Sequence, residues 1–96
     1  MKFVYSTFKR DYLGKKHTFY TIFEDENDAV NSLDYRINSE MESLPAKEFE
    51  VCYRKPSAID WPLIHEWAIY RVLPNGDRTV CSLYGLEEHH FAEKES

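Results

Sequence analysis

Two cysteines and four histidines are the side chains of this sequence best suited to nucleophilic or metal chemistry. Cys52 and Cys81 stand far apart in the chain and form no Cys-x-x-Cys pair or zinc knuckle. Both are predicted to be free thiols that pack as small hydrophobic residues. His65 stands beside Glu66, and it is interpreted as a partly buried, hydrogen-bonded residue. The sequence therefore predicts no metal site.

The C-terminal histidines come closest to a metal motif. Glu87 and His90 stand at i and i+3, a spacing used in carboxylate-bridged metal sites on helices. Such sites take two of these motifs from two helices, whereas this sequence holds one. His89 and His90 are therefore interpreted as part of a solvated polar tail, and residues 85–96 are predicted to be flexible and acidic.

Acidic pairs and glycines give no sign of an active site. Carboxylates cluster at residues 24–26 and 87–88, but acids at the start of a helix are accounted for by the helix dipole. The three glycines are isolated, so they form no phosphate-binding loop, and no Gly-x-Ser-x-Gly element is present. The prediction is a protein that is not an enzyme and needs no cofactor.

Positive charge and aromatic rings are interleaved near the tip of a predicted hairpin. This combination is typical of surfaces that bind single-stranded nucleic acid. The net charge of the whole chain is −5, which favours ordinary solvation of the hairpin. Single-stranded nucleic-acid binding through residues 9–20 is therefore the alternative function. Its candidate contacts are Lys9, Arg10, Lys15 and Lys16.

Six Phe, seven Tyr and two Trp are many aromatic residues for a chain of 96. In two of the predicted strands, apolar residues occur on both sides, and one helix covers only one side of a sheet. The remainder would form an exposed patch of Tyr and Trp, which are enriched in protein interfaces. A core on both sides of the sheet is the other interpretation. The candidate anchors of the patch are Trp61, Trp67, Tyr70 and Tyr20.

Acidic and basic residues are segregated along the chain. Residues 1–23 carry five bases and one acid, whereas residues 24–44 carry seven acids and one base. An acidic helix face would steer the protein toward a basic partner. That partner could be a nucleic-acid-handling enzyme whose phosphate-binding groove the carboxylates occupy. The candidate residues of this face are Asp34, Glu40 and Glu42.

These features predict a small acidic protein-binding module, namely a stoichiometric inhibitor or regulator of a partner protein. Phage host-takeover and anti-defence inhibitors have this general character. A homodimer that buries the same aromatic patch is the competing interpretation. No apolar run reaches the length of a signal-peptide core or a membrane span, which predicts a cytoplasmic protein with no membrane partner.

The elements that must position these residues follow the order ββαβββ. An apolar stripe from Val30 to Leu44 predicts a helix over residues 26–44, which Asp25 caps and Pro45 ends. Two hairpins are predicted, one around Gly14 and one around residues 74–77, where a Pro-Asn-Gly run suits a tight turn. The predicted strands are residues 3–9, 17–23, 47–54, 67–73 and 78–84.

Residues 56–66 are predicted to be a loop or a single helical turn. Together the elements predict one α+β domain over residues 1–96. Its architecture is a mainly antiparallel five-stranded sheet with one helix packed on one face.

Overall fold

A computed structural model describes residues 2–91 of the chain. Within this range it contains a five-stranded antiparallel sheet and one α-helix, which confirms the predicted α+β fold. The order of the strands across the sheet is β2-β1-β5-β4-β3. The elements are β1 (Lys2–Arg10), β2 (Lys16–Thr18), α1 (Glu26–Glu42), β3 (Phe49–Arg54), a 3₁₀ turn (Ala58–Asp60), β4 (Leu63–Val72) and β5 (Arg78–Phe91).

The helix α1 begins where the sequence predicts. The side chain of Asp25 accepts hydrogen bonds from the backbone N–H groups of Asn27 and Asp28 at 2.7 and 3.4 Å, as an N-cap residue does. The helix ends at Glu42, two residues earlier than predicted, because the chain must leave the α conformation before Pro45.

The core lies between α1 and the centre of the sheet. An α-helix is about 10 Å across and strands lie about 4.8 Å apart, so one helix covers roughly two strands. Here α1 packs mainly over β1 and β5, and from β3 only Phe49 packs against the core. The fully packed core side chains are Ala29, Leu33, Ile37, Ile69, Tyr84 and Leu86.

Both predicted turns are present. Gly76 has a φ of +87°, and its N–H donates to the carbonyl of Leu73 at 2.9 Å, as in a type I turn followed by a left-handed residue. Gly14 has a φ of +83°, and its N–H donates to the carbonyl of Asp11 at 2.9 Å. Glycine adopts this conformation without the steric penalty of other residues.

The second predicted strand is shorter than residues 17–23. β2 ends at Thr18, and the chain rejoins the sheet only at Phe23, through a single bridge to Tyr5. An edge segment forms ladder hydrogen bonds on one side only, so its pairing is easily interrupted. Phe19 and Phe23 both pack against the core, and the residues between them are turned outward.

The prediction of a flexible tail from Gly85 is wrong for residues 85–91. These residues continue β5 and pair with β1, from Thr7 opposite Leu86 to Lys2 opposite Phe91. The physical reason is that β1 begins at Lys2. If β5 ended at residue 84, the backbone groups in the first half of β1 would have no partner in β5. Residues 92–96 lie outside the described residues.

The segment before β4 also differs from the prediction. Residues 58–60 form a short 3₁₀ turn, and β4 then begins at Leu63 instead of residue 67. The early part of β4 pairs with the extended part of β5, with Leu63 opposite Glu87. The lengths of β4 and β5 were therefore both underestimated, because each strand supplies hydrogen-bond partners to the other.

Candidate functional site

Three aromatic rings lie together on the helix side of β3 and β4. The ring centroids of Tyr53 and Trp67 are 5.1 Å apart, and His65 lies 5.8 Å from the former and 5.7 Å from the latter. Val51 lies on the same side, opposite the core residue Ile69. Val51 is 39% exposed and Tyr53 is 50% exposed. Val51, Tyr53, His65 and Trp67 are referred to below as the aromatic shelf.

Hydrogen bonds tie the aromatic shelf to the start of α1. His65 Nδ1 lies 2.7 Å from the Tyr53 hydroxyl, and His65 Nε2 lies 2.6 Å from Glu26 Oε1. Because a carboxylate only accepts, His65 Nε2 donates to Glu26, and Nδ1 shares the second hydrogen bond with the Tyr53 hydroxyl. The partly buried, hydrogen-bonded role predicted for His65 is confirmed, with Glu26 and Tyr53 as its partners.

A second cluster of exposed aromatic rings lies at the end of the sheet, also on the helix side. The ring of His90 lies 5.3 Å from that of Trp61 and 4.6 Å from that of Phe3. The Trp61 indole N–H donates to Glu88 Oε1 at 3.3 Å. Glu88 and His90 follow the core residue Leu86 at steps of two along β5, which places all three on one side.

The interpretation of the two C-terminal histidines as a solvated tail is therefore wrong. His90 packs between two aromatic rings, and His89, on the opposite side of β5, is half-buried. His89 Nε2 lies 2.9 Å from the hydroxyl of the buried Ser6. Both histidines belong to the sheet because β5 continues through them.

On the flank of α1 that faces β1 and β5, polar side chains form hydrogen bonds with one another. The Glu40 carboxylate accepts hydrogen bonds from Lys9 Nζ at 2.6 Å, Ser82 Oγ at 2.6 Å and the Tyr84 hydroxyl at 2.7 Å. Burial by itself raises the pKa of the Glu40 carboxyl, but the three hydrogen bonds outweigh burial and hold this pKa below its ordinary value. Burial and the bond to Glu40 raise the pKa of the Tyr84 hydroxyl.

A cleft of about 500 Å³ opens above this cluster, between α1 and the first hairpin. Its walls include Phe19 and Arg36, whose guanidinium lies 3.8 Å from the centre of the Phe19 ring. The polar groups at its base, Lys9, Glu40 and Tyr84, already satisfy one another. This arrangement fixes the helix on the sheet and leaves no unpaired group pointing into the cleft from these three side chains.

The three residues of the predicted acidic helix face do not share one exposed surface in the structure. Asp34 and Glu42 are exposed, as the prediction requires. The Glu40 side chain is only 16% exposed and binds within the protein, so it does not belong to the exposed acidic surface. The cause is position, because Glu40 lies on the flank of α1 that meets β1 and β5.

The four predicted aromatic anchors lie in different places. Trp67 belongs to the aromatic shelf, and Trp61 belongs to the cluster at the end of the sheet. Tyr70 follows the core residue Ile69, so it lies on the opposite side of the sheet. Tyr20 is fully exposed between β2 and α1. The sequence therefore indicated the excess of aromatic residues without locating the surface on which they meet.

The predicted basic hairpin is divided between the two sides of the sheet. Lys9 bonds to Glu40 on the helix side, whereas Lys16 forms an ion pair with Glu87 at 3.0 Å. Arg10 alternates with Lys9 along β1 and so lies on the opposite side. The four candidate cations are Lys9, Arg10, Lys15 and Lys16, and they do not share one surface.

Part of the side of the sheet away from α1 is covered by its own side chains. The Phe8 ring, 6% exposed, lies across Gly85, where an added Cβ would overlap it. Lys16 Nζ lies 4.5 Å from the centre of that ring. Ion pairs lie at neighbouring positions, so charged side chains stand among apolar ones on this side, where Val80 is 39% exposed opposite Tyr70. The ion pairs are Lys16–Glu87, Arg54–Glu66 and Arg78–Glu50.

The residues best suited to chemistry are not brought together. Cys52 and Cys81 are free and half-buried. Cys81 packs against the core on the helix side, whereas Cys52 alternates with Val51 and lies on the opposite side. Among residues 2–91, no group of three or more His, Cys, Asp or Glu side chains could hold a metal ion.

Sequence reasoning missed Val51 and Tyr53 as surface residues. Both residues fall in the predicted strand 47–54, and the apolar positions of an alternating strand are expected to be buried. The signal that could have found them is the width of one helix, which cannot cover five strands. Comparison of the chain with protein-family models, curated proteins and solved structures gave no match. Within the described part of the chain, no helix is both long and apolar enough to cross a membrane.

Proposed function

We propose that this protein binds another protein through the aromatic shelf and acts on it as a stoichiometric inhibitor or regulator, without turning over a substrate. The observation that carries the proposal is the exposure of Val51 and Tyr53 beside Trp67. Tyr and Trp dominate the energetics of protein interfaces because they join a large apolar area to a polar tip.

The hydrogen bonds around Tyr53 support a role as an interface anchor. The chain from Tyr53 through His65 to Glu26 restricts the ring before any partner arrives. A side chain that is already ordered loses less conformational entropy on binding, so more of the contact energy remains for affinity. An exposed tyrosine without such contacts, such as Tyr20, lacks this advantage.

The exposed carboxylates of α1 support the proposal that the partner has a basic surface. Asp34 and Glu42 are exposed on α1, and Glu24 to Asp28 surround its start. Carboxylates in this arrangement would speed the encounter with a positively charged surface, including the phosphate-binding groove of a nucleic-acid-handling enzyme. The effect is expected mainly on the association rate, and it should weaken as salt is added.

The alternative, nucleic-acid binding through residues 9–20, has less support. Lys9 and Lys16 are engaged by Glu40 and Glu87, and they lie on different sides of the sheet. Single-stranded binding needs cations along one groove together with stacking rings. A fluorescence titration with short single strands at two salt concentrations separates the two functions. Salt-sensitive binding that is lost in a Lys15→Glu, Lys16→Glu variant would favour the alternative.

Photocrosslinking in a host lysate tests the proposal. A photoreactive phenylalanine analogue at position 53 should capture one protein at one-to-one stoichiometry, measured by native mass spectrometry. The matched control places the same analogue at position 20, which is more accessible than position 53 but isolated. Tyr53→Ala should weaken binding of the captured protein by about thirtyfold, the scale of an interface anchor, whereas Tyr20→Ala should not. Equal capture at the two positions, or unchanged binding by Tyr53→Ala, would contradict the proposal.

A further inference from the structure

The strand β3 is the outer edge of the sheet, and one hydrogen bond shows which of its residues face outward. The backbone N–H of Val72 donates to the carbonyl of Glu48 at 2.8 Å, in the register that continues the ladder between β3 and β4. Hydrogen-bonded and non-hydrogen-bonded pairs alternate along an antiparallel ladder. The backbone N–H and C=O groups of Phe49, Val51 and Tyr53 therefore point away from β4.

This edge lacks several of the usual protections against pairing, although Glu50 and Arg54 are charged. Proteins block edge strands with prolines, lysines, bulges or very short strands. The six residues Phe49–Arg54 include no proline or lysine, and they pair with β4 without a register shift. The other edge strand, β2, has only three residues. Among the strands formed by residues 2–91, none pairs with the outer side of β3.

We propose that a second copy of this chain pairs with β3 in antiparallel orientation, about a twofold axis at Val51. Val51 then lies opposite Val51 of the second copy, and Phe49 lies opposite Tyr53 of the second copy. Every residue whose backbone groups point outward is used, so each pair exchanges both hydrogen bonds. The apolar side chains meet on the helix side, where Val51 and Tyr53 are exposed in the single chain.

The same register makes β3 complementary to itself in charge. Glu48 and Arg54 are both exposed and stand three residues before and after Val51. Each therefore lies opposite the other across the twofold axis, which creates two pairs of opposite charge. Arg54 also contacts Glu66 at 3.0 Å and Asp60 at 3.5 Å, and the five N–H donors of a guanidinium allow a further contact to Glu48 of the second copy. Opposite charges that face each other across antiparallel strands stabilise the pairing.

Neighbouring registers fit less well. A shift by two residues in one direction pairs Phe49 with Lys55 and places Cys52 opposite itself, and a shift in the other direction places Glu50 opposite itself. In the proposed register, Lys47 and Lys55 face each other just beyond the strand, and their repulsion makes the dimer weak and reversible. The dimer covers Val51 and Tyr53, so it competes with the proposed partner for the aromatic shelf. The two proposals are tested separately, because self-association is measured on the pure protein and partner binding is measured in a lysate.

Charge reversal tests the pairing. Sedimentation equilibrium of the wild type at rising concentration should show a mass that approaches twice the 11.5 kDa of the chain. Glu48→Arg and Arg54→Glu should each weaken self-association at least about tenfold, because like charges then face each other twice. A mixture of the two variants should regain the dimer mass, since both pairs are again opposite in charge.

Glu42→Arg is the matched control, because it makes the same change of charge on α1, away from the edge strand. It should leave self-association as in the wild type. Circular dichroism of each variant shows whether it is folded, and Val51→Lys provides a second break of the same edge if Arg54→Glu does not fold. The proposal is overturned by a monomeric wild type at every concentration, by a mixture that stays monomeric, or by equal dissociation of Glu42→Arg. Oxidative cross-linking of native Cys52 to itself would overturn the register.

Discussion

The two flanks of helix α1 meet the sheet in opposite ways. On the flank toward β1 and β5, Glu40 accepts hydrogen bonds from three side chains. On the flank toward β3, the apolar side chains of Val51 and Tyr53 stay exposed. The first flank has the properties of an internal joint, and the second has those of a surface that another molecule can cover.

This difference follows from the width of one helix on a five-stranded sheet. A single helix covers about two strands, so part of the helix side must remain open. The polar cluster at Glu40 secures α1 over β1 and β5. The open part consequently lies at β3, where the chain has placed aromatic residues and not the charges that usually cover a solvated sheet.

The largest expected difference between the flanks is in core stability. Leu33→Ala and Ile37→Ala should each lower the free energy of unfolding by about 2–5 kcal/mol, because both side chains are buried and the change leaves a cavity. Val51→Ala should lower it by less than about 1 kcal/mol, because Val51 is already partly exposed to water. Urea denaturation measures the free energy of unfolding of all three variants. Equal losses would show that β3 is as well covered as the core.

The Glu40 cluster should contribute less than the core but more than any exposed acid. Glu40→Gln leaves Lys9 without its counter-charge and is expected to lower the free energy of unfolding by about 1–3 kcal/mol at pH 7. Glu42→Gln is the control, since an exposed side chain changes stability by less than about 0.5 kcal/mol.

Acid should remove the advantage of Glu40 over the Gln variant. The pKa of Glu40 in the folded protein lies below that of an unfolded Glu, about 4.3, so the unfolded chain takes up the proton first. The stabilisation is complete above the unfolded value and is lost as the pH falls through the folded value. Urea melts of both proteins between neutral and acid pH should therefore converge on acidification. A gap that widens in acid would contradict the assigned hydrogen bonds.

The smallest expected effect is on the exposed flank. Tyr53→Phe keeps the ring but removes the hydroxyl that bonds to His65, so the free energy of unfolding should change by about 1 kcal/mol or less. Binding of the captured partner should fall further than stability does, because the ring is no longer held in place. Comparison of urea melts with binding titrations for this variant separates the two roles. A larger loss of stability than of binding would assign Tyr53 to the fold.

Much of the fold follows from local patterns. The Val30–Leu44 stripe, the cap at Asp25 and the turn at Gly76 each predict their element, because these signals lie within a few residues of one another. The limits of β5 and β2 could not be predicted in the same way. A strand is as long as the partner it pairs with, and that partner is distant in sequence.

The candidate site was less predictable than the fold. The excess of Tyr and Trp indicated an exposed patch, but Trp61, Trp67, Tyr70 and Tyr20 were grouped without knowledge of which faces they share. Likewise, Glu40 resembles Glu42 in sequence, and only its position on the helix flank makes it an internal acceptor.

The sequence by itself determined the α+β class, the helix with its N-cap and the two tight turns, because each depends on backbone preferences and side-chain periods within one segment. Only the tertiary structure decided that α1 lies over β1 and β5, that β5 extends to Phe91, and that no other strand of residues 2–91 pairs with the outer side of β3. These outcomes depend on contacts between segments far apart in the chain. The same contacts turn Glu40 inward and leave Val51 and Tyr53 exposed.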